Sequence, residues 1–215
     1  MNKTSHPFCL VPTALAACVL GSCATSQPKP LSADEHLEQA QHHERVAEEH
    51  EAKQHVDWTS TSSTAADVAR YRAVAAEHRA ASEALRAAEA RACAGVEDDD
   101  RDESPFVHTP DILAVRELNV TEGKQLVNRR KGARITLRPV RGLTAQWLQQ
   151  LVDCRIAENA ALGYQVPEFP NDPLAVPGVT ARVSAEPNSF AVDVEHDSEE
   201  RAREIQERAA RLVAK

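Results

Sequence analysis

Polar and apolar positions change rhythm once along this chain, near residue 110, and the change predicts two kinds of architecture. From residue 34 to residue 57 there is no glycine or proline, and Glu, Ala, Gln and His dominate. Ser32 or Asp34 can cap a helix there, with Glu35 in its first turn. Residues 59–64, Thr-Ser-Thr-Ser-Ser-Thr, read as a turn, and Thr64 can cap a second helix. From Ala65 to Cys93 the chain is Ala-rich, and Tyr71, Val74, His78, Ala81, Leu85, Ala88 and Ala92 recur at steps of three or four. That spacing lays one stripe along a helix and predicts a seam. Gly95 is a natural stop. Two helices joined by a short turn make an antiparallel hairpin.

Beyond an acidic stretch the period shortens. Ile112–Val120 and Ala133–Val140 have strand character, the second through alternating Arg134-Ile135-Thr136-Leu137-Arg138. Thr144 caps a helix that carries Trp147, Leu148, Leu151, Val152 and Cys154 and ends at Gly163. Residues 164–178 contain Pro167, Pro170, Pro173 and Pro177 and read as an extended crossing loop. Val179–Ala185 and Phe190–Glu195 flank Glu186-Pro187-Asn188-Ser189, a hairpin signal. Asp197 or Ser198 opens a last helix with Ala202, Ile205, Ala209 and Leu212 on one face, and Arg203 and Arg208 among its surface charges. The expected class is α+β: an N-terminal antiparallel helical hairpin followed by a small ββαββα domain. Both of that domain's helices are expected on one face of an antiparallel or mixed sheet.

The start of the chain follows neither rhythm. Lys3 precedes an apolar run from Phe8 to Leu20, and Leu20-Gly21-Ser22-Cys23 follows at its end. A charged start, a short apolar core and small residues before a cut describe a secretory leader. The run is well short of the about 20 residues that cross a bilayer. With Cys after Gly-Ser, residues 1–23 resemble the lipobox of bacterial lipoproteins. The resemblance implies that the Cys23 sulfur receives a diacylglyceryl group, that residues 1–22 are removed, and that the new amino terminus is acylated. Two or more acyl chains hold a protein stably on a membrane. Residue 24 is Ala, not the Asp that retains some lipoproteins at the inner membrane, so the resemblance implies an outer-membrane address facing the periplasm. The expected divisions are a signal peptide (1–22), a lipidated tether (23–33), the helical hairpin (34–94), an acidic linker (95–111) and the α+β domain (112–215).

Charge and cysteine content narrow the classes. The chain has 25 Lys+Arg against 33 Asp+Glu, and loss of the leader removes Lys3. An acidic chain is a poor partner for nucleic acid, which calls for a basic patch. It also docks poorly on anionic lipid by charge, which leaves anchoring to the lipid. Cys9 and Cys18 leave with the leader and Cys23 takes the lipid, so Cys93 and Cys154 remain in an oxidising compartment. Their one pairing is a Cys93–Cys154 disulfide, which closes a loop of about 60 residues and contributes on the order of 3–4 kcal/mol in the chain-entropy account.

The candidate chemistry lies in the histidines. His36, His42, His43, His50 and His55 all fall in the first predicted helix. His36, His43 and His50 share a stripe, but seven residues rise about 10.5 Å, too far for two ligands of one ion. Folding the hairpin about residue 60 or 61 brings His43 opposite His78 and His50 opposite Tyr71. Neutral imidazoles so placed can take Zn²⁺, Cu²⁺ or Ni²⁺ with a nearby Glu, can form a pH-sensitive pair, or can be polar residues on a wet seam. The acidic linker fails as a calcium loop: Glu103 stands where the turn needs Gly, and Thr109 where it needs Glu. No phosphate loop, dinucleotide fingerprint, nucleophile elbow or zinc-protease motif is present. The expected function is therefore a non-catalytic, lipid-anchored envelope protein with a periplasmic binding or structural module and an envelope protein as partner. The alternative is a periplasmic transition-metal-binding lipoprotein that uses the hairpin histidines His43, His78 and His50.

Overall fold

The computed structural model describes residues 29–56, 61–101, 103–122 and 127–214. Cys23 and the expected leader lie outside these residues. Helix α1 (Ala33–Val56) packs along helix α2 (Thr61–Ala92). The α1 cap is reciprocal: Ser32 Oγ accepts from the Glu35 N–H at 3.0 Å, and the Glu35 carboxylate accepts from the Ser32 N–H at 2.7 Å. The Glu35 carboxyl is held below its ordinary range, chiefly by that Ser32 N–H. Helix α2 starts at Thr61, earlier than a Thr64 cap predicts. Ser and Thr are tolerated in a first turn, so a Ser/Thr run alone does not fix where a helix begins.

The hairpin contact is lined by small residues seven apart. Ala33, Ala40 and Ala47 are buried on α1, and Val68, Ala75 and Ser82 on α2. The predicted α2 stripe of Val74, Ala81 and Ala88 is only half-buried. Small side chains let the backbones approach, so Ala75 and Ser82 take the centre while Tyr71, His78 and Leu85 fall to one side. Arg72–Glu51 (2.7 Å), Arg79–Glu44 and Arg86–Asp34 (2.5 Å) run along the other side. The arginine numbers rise as those of their partners fall, the signature of antiparallel helices. Each exposed pair contributes roughly 0–1 kcal/mol, so the ladder sets register more than stability.

The second unit is a four-stranded antiparallel sheet, β1 (Ile112–Glu122), β2 (Val127–Leu137), β3 (Thr180–Glu186) and β4 (Ser189–Glu195), in the order β1-β2-β4-β3. Strand β2 spans 127–137 where alternation suggests 133–140. Pairing with β1 recruits its polar first half, which a hydrophobic pattern does not mark. The register shifts between Leu118↔Gly132 and Asn119↔Arg130, leaving Lys131 as the extra residue of a bulge. Gly132 is required there, since a Cβ would lie 1.9 Å from the Val194 carbonyl oxygen.

Helices α4 (Ala145–Ala161) and α5 (Glu199–Leu212) close one core with the sheet; α3 is a single acidic turn, Asp98–Arg101. Thr144 Oγ1 accepts from the Trp147 N–H at 3.1 Å and caps α4. Leu148 and Val152 meet Ile205, Ala209 and Leu212 over Ile135, Leu137, Phe190, Val192 and Val194. Residues 164–178 are not an extended crossing. They coil through successive turns, Phe169 N–H to Val166, Asp172 to Phe169, Ala175 to Asp172 and Val179 to Val176. The coil buries Pro173, Leu174, Ala175 and Val176. Proline spacing marked the absence of helix and strand, but the apolar Leu174-Ala175-Val176 run decides that the segment plugs the core. The other face of the sheet is polar: Arg116, Arg134, Asp193 and Arg182 stand in one register row, and Arg134 grips Asp193 with two bonds of 2.6 Å.

Candidate functional site

Beside the small-residue line of the hairpin lies a row of rings. The planes of His43 and His78 are nearly parallel, 12° apart, with centroids 5.8 Å apart. His43 also stacks on Tyr71 at 6.0 Å, and His50 meets Tyr71 at 5.4 Å. His78 has a second neighbour on α1: His36 Nδ1 lies 2.9 Å from His78 Nδ1, with the rings tilted by 45°. The His43 Nδ1 is buried and has no hydrogen-bond partner among the described residues. The structure thus brings His43 to His78 and His50 to Tyr71, while His50 is not in ring contact with His78. It adds His36, which level-by-level pairing of a folded hairpin does not reach, because the imidazole extends along the seam.

The His36–His78 contact constrains protonation. Two imidazole nitrogens 2.9 Å apart form a hydrogen bond only if they share one proton between them. Two neutral rings of different tautomers satisfy this, as does one imidazolium; two imidazoliums do not.

A second constellation sits where the hairpin meets the α+β domain. Cys93, just after α2, and Cys154, inside α4, are joined as a disulfide with Cα atoms 4.5 Å apart. Val96, Trp147 and Leu151 pack around the bond. An ionic chain runs beside it. Glu89 of α2 pairs with Arg101 of α3 at 2.9 Å, and Arg101 with Glu158 of α4 at 3.5 Å. Arg155 holds Glu158 at 3.4 Å and Asp172 of the coiled loop at 3.2 Å. Burial pushes the Glu158 carboxyl above its ordinary range, against the pull of Arg155 and Arg101. Asp172 is fully buried, and desolvation raises it too, against the Leu174 N–H and Arg155. The segment before α1 closes the joint from the other end: Gly163 is left-handed (φ +63), and a Cβ there would lie 2.7 Å from the Ser32 nitrogen.

Among the described residues one trio of potential metal-ligating atoms converges within 4.8 Å, those of Cys93, Cys154 and Glu158. The sulfurs are bonded to each other and Glu158 lies between two arginines, so the trio is a structural joint. Near it a groove of about 550 Å³ opens between α3, the end of β2 and α4, lined by His108, Arg138, Arg141, Leu143, Trp147 and Leu151. Arg155, Asp172 and Arg101 carry no motif. Only folding brings them together: Arg101 reads as part of an acidic run and Asp172 as part of a proline-rich loop.

No helix among the described residues is long and apolar enough to cross a membrane. Compared with known proteins, the chain matches no family model, and neither a curated protein nor a solved structure matches it.

Proposed function

We propose that this chain is a lipid-anchored, non-catalytic protein of the bacterial envelope that carries a binding module on a helical spacer of fixed angle. The outer membrane, on its periplasmic side, is its place, and an envelope protein is its partner. The observation that carries the reading is the joint. A disulfide from the end of α2 to the middle of α4 leaves the two units no free hinge. The Glu89–Arg101–Glu158–Arg155–Asp172 chain ties α2, α3, α4 and the coiled loop beside it. A bond of this kind suits an oxidising compartment, and Leu20-Gly21-Ser22-Cys23 supplies both export and anchor.

The perturbed buried carboxylates also favour a structural role. Asp172 accepts from the Leu174 N–H at 2.9 Å and from Arg155, so its oxygens are engaged in holding the loop. The groove beside Trp147, with Arg138 and Arg141 at its rim, is the surface available to a partner.

Substitution of the lipobox cysteine tests the reading. Cys23→Ser is expected to leave an unprocessed precursor without lipid. Wild-type protein is expected in the membrane fraction, and release by detergent but not by salt is the expected behaviour. Equal processing and equal membrane retention of Cys23→Ser would refute the anchor.

A further inference from the structure

The hairpin seam brings two imidazole nitrogens together from different helices, and we infer that His36 and His78 form a Cu²⁺ site between α1 and α2. The inference goes beyond the anchored-module reading and does not rest on it. His36 Nδ1 and His78 Nδ1 are 2.9 Å apart, and both rings are only partly buried, so an ion can reach them. As they stand the two nitrogens share a hydrogen bond, and turning both rings lets their lone pairs converge on one ion. Cu²⁺ binds nitrogen donors most tightly among the divalent first-row metals, so a pair of imidazole nitrogens favours copper over zinc.

Binding replaces the shared proton by the ion. In the neutral pair one ring carries its hydrogen on Nδ1; that ring shifts to the Nε2–H tautomer, both Nδ1 lone pairs face the metal, and no net proton is released. His43 lies nearly parallel to the His78 ring and steadies its plane, while Tyr71 backs His43 in turn. Water supplies the remaining copper positions. Because the two ligands come from different helices, 42 residues apart, the ion cross-links α1 to α2.

Titration of the full chain, carrying no histidine tag, with a copper(II) salt tests the site. One Cu²⁺ per chain is expected, with nitrogen couplings in the electron paramagnetic resonance spectrum. His36→Gln and His78→Gln are each expected to weaken binding about tenfold or more. His108→Gln, outside the hairpin, is expected to leave it unchanged. Footprinting of the unsubstituted chain with diethyl pyrocarbonate gives an answer that does not depend on a variant folding: Cu²⁺ should protect His36 and His78 and leave His108 reactive. Absence of stoichiometric copper, binding that survives both glutamine variants, or unchanged reactivity of His36 and His78 would overturn the assignment.

Discussion

Asp172 has every side-chain oxygen inside the protein, yet desolvation lifts its carboxyl above the ordinary range despite Arg155 and the Leu174 N–H. The consequence for stability has a definite sign. A carboxyl raised on folding keeps its proton to higher pH in the native state than in the unfolded chain. The native state therefore binds more protons over that window, and stability falls as pH rises from the unfolded carboxyl value, about 4, through the raised native one. Glu158 works in the same direction. Glu35 and Asp197 are lowered and oppose it, but Asp197 is exposed and Glu35 only half-buried, so solvent screens both. Asp172→Asn is expected to flatten the loss of stability above about pH 4, measured by denaturant titration at several pH values. An identical pH profile for the variant would show that Asp172 does not carry the effect. None of this was legible before folding, because Asp172 sits among prolines and glycines that read as surface loop.

At the scale of elements, the last helix was the most legible. Ala202, Ile205 and Ala209 are fully buried and Leu212 nearly so, as the period predicts. Ile205→Ala is expected to cost about 2–5 kcal/mol through lost transfer energy and a cavity. The charged positions need separating. Arg203 is well exposed, and its loss is expected to cost roughly 0–1 kcal/mol. Arg208 is not the surface charge its period suggests: it donates to the Asp172 and Ala175 carbonyls at 3.0 and 3.1 Å and pairs with Glu204 at 2.7 Å. Arg208→Ala strands two carbonyls of the coiled loop, and about 1–3 kcal/mol is the expected loss. Denaturant unfolding of the three variants checks the ranking, and a neutral Ile205→Ala would mean that α5 does not pack on the sheet. The same contrast runs through the hairpin. Its existence follows from the absence of Gly and Pro and from the polar turn, but its centre does not. A stripe of apolar size points to Tyr71, Val74 and His78, whereas close approach favours Ala75 and Ser82, the smallest side chains on that face. His36 was missed for a related reason: numerical pairing fixes the level of each Cα, and an imidazole reaches beyond its level.

At the scale of the molecule, a disulfide and an ionic chain at α4 hold the hairpin against the domain. The pairing of Cys93 with Cys154 follows from counting which cysteines lie beyond the expected leader. The chain through Glu89, Arg101, Glu158, Arg155 and Asp172 did not, because its members lie on three helices and the coiled loop, whose approach is a tertiary event. The anchored-module account joins this joint to the lipobox-like segment that ends at Cys23, and both ends of it can be read at once. Peptide mapping by mass spectrometry, without reduction, of protein extracted from the cell membrane is the most direct test. The account predicts an amino-terminal peptide beginning at lipid-modified Cys23 and a single Cys93–Cys154 linkage. A chain that retains residues 1–22 with an unmodified Cys23, or that carries free thiols at positions 93 and 154, would contradict it.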